Sequence, residues 1–176
     1  MPFILGALAV LGAAYFWMVR MRDAKDITYE MLDAANDVRL AARRFGFQRR
    51  NNLHPVEAVE DPLVAAAALV VGFLELEDYP TSEQKTAMIS ALRENLHVSH
   101  DDAEELAVLG RWLVGECGGA TPAMSRLARR LFKLSGQTHF TAVAKSLQMI
   151  AKFGTGNLSA KQQEALTDVS RIMKMA

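Results

Sequence analysis

No charged residue occurs between Met1 and Val19 in "MPFILGALAVLGAAYFWMV", and Arg20, Arg22 and Lys25 follow at once. A helix of that length covers about 28 Å, close to the ~30 Å hydrocarbon thickness of a bilayer. Tyr15, Phe16 and Trp17 fall where an interfacial aromatic belt sits. A cleaved signal peptide carries its basic residues before the apolar run, and here the order is reversed. The positive-inside rule then places residue 20 onward in the cytoplasm and Met1 outside. The alternative is a core helix that must hide an apolar surface on every side. Gly6, Ala9 and Ala13 line one side of the span, with Ala9 and Ala13 at the spacing that lets two membrane helices approach closely. Pairing of two copies is one reading of them; the ordinary composition of a membrane span is the other.

Residues 20–46 are expected to continue as a juxtamembrane helix. Ala24, Ile27, Met31, Ala34, Val38, Ala41 and Phe45 repeat at spacings of three and four. This seam has two readings: a parallel pair with a second copy, or a helix docked on its own domain, which is favoured. Gly46, Asn51, Asn52, Pro55 and Pro62 then break the pattern, so residues 47–61 read as a linker.

From Leu63 to Leu74 the chain is apolar without interruption, too short to span a bilayer and suited to a helix buried on all sides. Amphipathic helices follow. Met88, Ile89, Leu92 and Leu96 mark the first; Leu106, Leu109, Gly110, Leu113 and Cys117 the second; Met124, Leu127 and Leu131 the third. Phe140, Val143, Ala144, Leu147, Ile150 and Ala151 mark the next, and Ala165, Leu166, Val169, Ile172 and Met173 the last. No stretch alternates with period two for long enough to make a strand. The expected fold class is all-α: one transmembrane helix at residues 1–19, then a helical bundle over residues 62–176. Helix starts are written locally, because Thr81 with Gln84, Ser99 with Asp102 and Ser159 with Gln162 have capping-box spacing. Gly118 and Gly119 stop one helix, and Thr121-Pro122 starts another with proline at its first position.

The stretches "LEDYPTSEQKTAMISALRENL" and "FGTGNLSAKQQEALTDVSRIM" overlie one another with Ser82 on Ser159. Each is a helix end, a polar turn, a capping hydroxyl and an amphipathic helix, so the domain reads as two helix-turn-helix halves. On these residues the chain resembles the TerB-like (tellurite-resistance) helical domain family over roughly residues 61–176. That family's repeated motif runs Asp-Gly, one residue, an apolar residue, Ser, two residues, Glu. Here the first copy offers Asp78-Tyr79-Pro80-Thr81-Ser82 and the second Thr155-Gly156-Asn157-Leu158-Ser159 with Gln162, while "LHVSHDDAEEL" resembles the family's connector. The glycine is missing from the first copy and the acid from the second. Anchor plus domain also resembles the front half of membrane-anchored DnaJ-like co-chaperones. His54-Pro55 lacks the aspartate of the His-Pro-Asp motif, so J-domain activity is not implied.

Candidate sites follow from charge and spacing. Glu75, Glu77, Asp78 and Glu83 could offer carboxylate oxygens to a divalent cation. Counted from Glu75 or Asp78, the turn lacks the glycine and the final acid of an EF-hand, and a plain capped turn is favoured over a metal site. His97 and His100, beside Asp101 and Asp102, are weighed as ligands and read as surface residues. Cys117, with His139 as a conceivable base, reads as a buried thiol, no disulfide is available to it, and "GECGG" is no phosphate loop. With 20 basic and 20 acidic residues, no global field calls for nucleic acid. Basic clusters are local instead: Arg39, Arg43, Arg44, Arg49 and Arg50 with no acid among them, and Arg126, Arg129, Arg130 and Lys133 along one helix.

The expectation is a single-pass bacterial inner-membrane protein, N-terminus outside, presenting its helical domain to the cytoplasm without enzymatic activity and without a cofactor. It would serve as an interaction module, scaffold or accessory subunit, with the two basic clusters as working surface. Its partners are the bilayer, a membrane protein and, on the pairing readings above, a second copy. The alternative implied by the resemblance is a divalent-metal- or stress-responsive module of the tellurite-resistance type.

Overall fold

The computed structural model describes residues 34–50, 52–77, 80–153 and 158–174. The chain divides into two units, Met1–Asp37 and Val38–Ala176. Everything below concerns the second. Among the described residues every regular element is an α-helix, as expected. None of these helices is long and apolar enough to cross a membrane. The expected anchor at residues 1–19, with Gly6, Ala9 and Ala13, lies outside the described residues, as do Ala24, Ile27 and Met31.

Helix α3 (Pro62–Leu74) is the axis of the domain. Asp61 caps it by accepting the Leu63 amide at 2.8 Å, and Pro62 stands in the first turn where its missing N–H is not needed. Every residue from Val64 to Leu74 is buried, which is what an apolar surface on all sides demands. Helices α5 (His100–Glu116) and α6 (Ala120–Ser135) cover most of it, and α4 (Ser82–Leu96) and α7 (Phe140–Lys152) cover the rest. Small residues make this crowding feasible. At Gly110 of α5, a Cβ would stand only 3.0 Å from the Cα of Ala68.

The outer helices pair among themselves. Helix α4 packs on α7, where the buried Ser146 donates to the Ala142 carbonyl at 2.9 Å and accepts from Asn95 at 3.2 Å. Helix α8 (Ala160–Lys174) packs on α6. Buried positions Ala123, Met124, Leu127, Ala128 and Leu131 give α6 one apolar face and leave its arginines outward. Its N-cap is Gly119 at φ 118°, so Pro122 sits at the third helical position rather than the first.

Two boundaries move. Helical residues 38–44, here α1, belong to the domain: Ala41 is fully buried, and Val38, Ala42 and Phe45 pack against the core. Over these residues the seam docks on its own domain. Gly46 at φ 65° ends α1 and brings the Phe47 amide onto the Ala42 carbonyl at 2.7 Å. Phe47 then meets Trp112 of α5 edge-on, ring centres 5.4 Å apart. Residues 47–61, expected as a linker, contain the short helix α2 (Pro55–Ala58), with Val56, Ala58 and Val59 buried against α5 and α6. Its prolines punctuate a packed segment.

Candidate functional site

The acidic turn after α3 is a clamp. Glu75 pairs with Arg111 of α5 at 2.9 Å. Glu77 gives both oxygens to amides: Gln84 donates to Oε2 at 2.8 Å and Gln162 to Oε1 at 3.0 Å. Those glutamines are 1% exposed, and each also closes a capping box. Gln84 accepts from the Thr81 amide at 2.8 Å while donating its own backbone N–H to the Thr81 hydroxyl. Gln162 does the same with Ser159, at 3.0 and 3.2 Å. Glu83 lies exposed in the first turn of α4, its carboxyl held below the usual range by a backbone amide and the Thr81 and Ser82 hydroxyls. Asp78 lies outside the described residues. Among those described, no group of three or more His, Cys, Asp or Glu side chains is placed to hold a metal ion.

This geometry shifts the repeat by one residue. Thr81, not Ser82, is the cap of α4 and the counterpart of Ser159. Buried Gln84, Ala87 and Ala91 of α4 then match Gln162, Ala165 and Val169 of α8. In that register Glu77 takes the place that Thr155 holds in the second copy, so the acid shared between the halves is Glu77 rather than Asp78. The matched glutamines were the available sequence signal. Serine standing on serine masked it.

The histidines and the cysteine have local duties. His54 caps α2: Nδ1 accepts from the Val56 amide at 3.3 Å, and Nε2 lies 3.1 Å from the Glu116 carbonyl, which requires the proton on Nε2. His97 ends α4 in the left-handed region at φ 57°. His100 begins α5 and faces Glu104 at 3.4 Å. Burial pushes the Cys117 thiol up from its ordinary value, so it stays protonated at neutral pH and is a poor nucleophile.

The first basic cluster is largely neutralised within the domain. Arg44 reaches Asp102 at 2.6 Å and Glu105 at 2.8 Å. Arg49 approaches Glu116 at 3.5 Å with its guanidinium 6.0 Å from the Trp112 ring centre, and Arg50 meets Glu60 at 2.6 Å. A run that is single-signed in sequence is thus met by acids of α5 and the α2 loop. Exposed pairs of this kind contribute about 0–1 kcal/mol each, so they fix register more than stability. Arg39 and Arg43 have no acidic partner among the described residues.

The second cluster frames a cleft. Arg126, Arg129, Arg130 and Lys133 of α6 face Leu53, Val56 and Glu57 across an open cavity of about 690 Å³. Arg126 pairs with Glu57 at 3.1 Å. Arg130 turns back, its Nε and terminal nitrogen both donating to the Val59 carbonyl, the former at 2.7 Å. That contact ties α6 to the segment after α2. Arg129 donates Nε to the Ser125 carbonyl at 3.1 Å, and both it and Lys133 remain exposed. Leu53 is 44% exposed at the rim, Val56 is fully buried beneath, and Pro122 closes one end. Four cations thus stand against one acid beside an apolar wall. Sequence reading found the arginines and missed the wall, because Leu53, Val56 and Glu57 fell within the expected linker.

No family model, no curated protein and no solved structure matches this chain.

Proposed function

We propose that this protein is a membrane-anchored interaction module, a scaffold or accessory subunit of a bacterial inner-membrane complex, built on a TerB-like helical domain. The α6 cleft carries the reading. It is concave, it holds Arg129 and Lys133, which no carboxylate of the described residues meets, and it has a partly exposed leucine at its edge. That combination suits a protein partner better than a small reactive substrate. The charge-free residues 1–19, followed by Arg20, Arg22 and Lys25, support the anchor. An anchor raises the local concentration of the domain at the membrane, which strengthens weak contacts without new interface area. Support for the TerB-like assignment comes from the twin capping boxes, two halves of similar pattern sharing one acid at Glu77. The metal-responsive alternative has less behind it, since Glu75 faces Arg111 and both oxygens of Glu77 already accept amides.

The test is purification of the full-length protein from membranes in mild detergent, after alkaline washing. The expected outcome is retention in the membrane pellet and recovery with one larger membrane partner in fixed ratio. Release by alkali refutes the anchor, and recovery of bulk membrane proteins alone refutes the scaffold role.

A further inference from the structure

Resting on the interaction-module reading, we infer that the α6 cleft receives an acidic peptide segment that also carries an apolar side chain, and that Glu57 is the internal carboxylate this segment displaces from Arg126. Arg126, Arg129, Arg130 and Lys133 recur at helical spacings of three and four, so their heads form a row about 10 Å long on one side of α6. Arg130 is committed to the Val59 carbonyl. Arg129 and Lys133 have no carboxylate within the domain among the described residues. Arg126 does, but Arg126 and Glu57 are 42% and 48% exposed, and water screens a pair so wetted until it holds only weakly. Glu57 therefore shows where a carboxylate sits without blocking the place.

The apolar wall selects the kind of anion. Leu53 lies at the rim with nearly half its surface in water, Val56 continues the wall inward, and exposed Pro122 adds apolar surface at one end. An inorganic anion or a bare acidic tract leaves that surface wet. A segment with carboxylates spaced along it and an apolar side chain between them covers it. Concavity argues against a planar bilayer as the occupant, because lipid headgroups in a flat surface do not reach a floor set below the α6 cations. The row matches about three extended residues or two turns of helix.

The experiment uses the full-length protein in detergent micelles and fluorescence anisotropy with a labelled peptide of alternating Glu and Leu, about seven residues long, which covers the row whether it lies extended or as two turns of helix. Comparison probes are the alternating Lys and Leu peptide, an all-Glu peptide of equal length, and vesicles containing phosphatidylglycerol. The Glu/Leu peptide is expected to bind, to weaken with added salt, and to lose about tenfold or more in affinity in the double variant R129E/K133E. Glu57→Gln removes the competing carboxylate and is expected to tighten binding about threefold. The neutral pair R129Q/K133Q gives an intermediate loss, and the helical signal on melting shows that each variant is folded. Unchanged binding in R129E/K133E, no gain in Glu57→Gln, equal binding of the all-Glu peptide, or association with vesicles alone overturns the proposal. A membrane partner that still co-purifies with R129E/K133E removes the cleft from the interface while leaving the scaffold role standing.

Discussion

Gln162 donates its side-chain amide to Oε1 of Glu77 at 3.0 Å, across 85 residues of chain. With Gln84 on the other oxygen, one carboxylate joins the first turns of α4 and α8. Glu77→Leu strands two amides that are almost wholly buried, and a buried donor left without an acceptor costs about 1–3 kcal/mol. The expected loss by urea unfolding is about 2–6 kcal/mol. Glu77→Gln keeps one acceptor oxygen and should lose about half as much. No loss in Glu77→Gln, which keeps the shape of the side chain, would show that the clamp contributes by packing alone.

A fragment of residues 38–176 should fold, and one of residues 62–176 should not. The first keeps α1 and α2, whose Ala41, Val56 and Val59 are all within 1% of complete burial. Burial of the two valines alone is worth about 3–6 kcal/mol. That is comparable with the whole stability of a typical domain, about 5–15 kcal/mol. Thermal melting followed by circular dichroism distinguishes the outcomes. A cooperative transition in the shorter fragment at the same temperature would return residues 47–61 to the status of a linker.

The places where sequence and fold diverge have two physical causes. Helix α3 was legible because eleven consecutive buried positions leave no polar face to hide, and the caps at Thr81 and Ser159 were legible because capping is a contact between near neighbours in sequence. Helix α2 was not, since four residues are too few to display a period and the flanking Asn and Pro signal a break whether or not the segment packs. The acids that meet the first basic cluster are hidden for a different reason: Arg44 finds Glu105 at a separation of 61 residues, and outside the cluster Arg111 likewise finds Glu75 at 36. No window along the chain contains those partners. The cleft needed both kinds of information, a helical stripe from α6 and a wall from the segment that looked unstructured.

Asp102 should make acid stability depend on the α1–α5 contact. The Ser99 hydroxyl, and then the Arg44 guanidinium, hold its carboxyl below the ordinary value of 3.8. A depressed folded value means that the contribution is complete above about pH 4 and disappears as pH falls through the lower folded value. Asp102→Asn keeps the side-chain shape but loses the ion pair with Arg44. Its melting temperature is expected to fall below that of the parent at neutral pH, with the gap closing toward pH 3 and below. A gap that stays constant across that range would assign the effect to packing.

Two glycines of α5 make opposite predictions from the same substitution. Alanine is favoured over glycine in a helix by up to about 1 kcal/mol. At Gly115 nothing lies within 4 Å of the added methyl, so Gly115→Ala should stabilise by a few tenths to about 1 kcal/mol. At Gly110 the methyl would meet the Cα of Ala68 at 3.0 Å, its nitrogen at 3.2 Å and a Val71 methyl at 3.2 Å. Two of those three atoms are backbone in the central helix and cannot rotate away, so α5 must move off α3. Overpacking of this kind costs about 1–3 kcal/mol, more than the propensity gain, and Gly110→Ala should lower stability. Urea unfolding of the two variants side by side reads the sign directly. A stabilising Gly110→Ala would mean that α3 and α5 do not approach as closely in solution as the packing of Ala65–Ala68 requires.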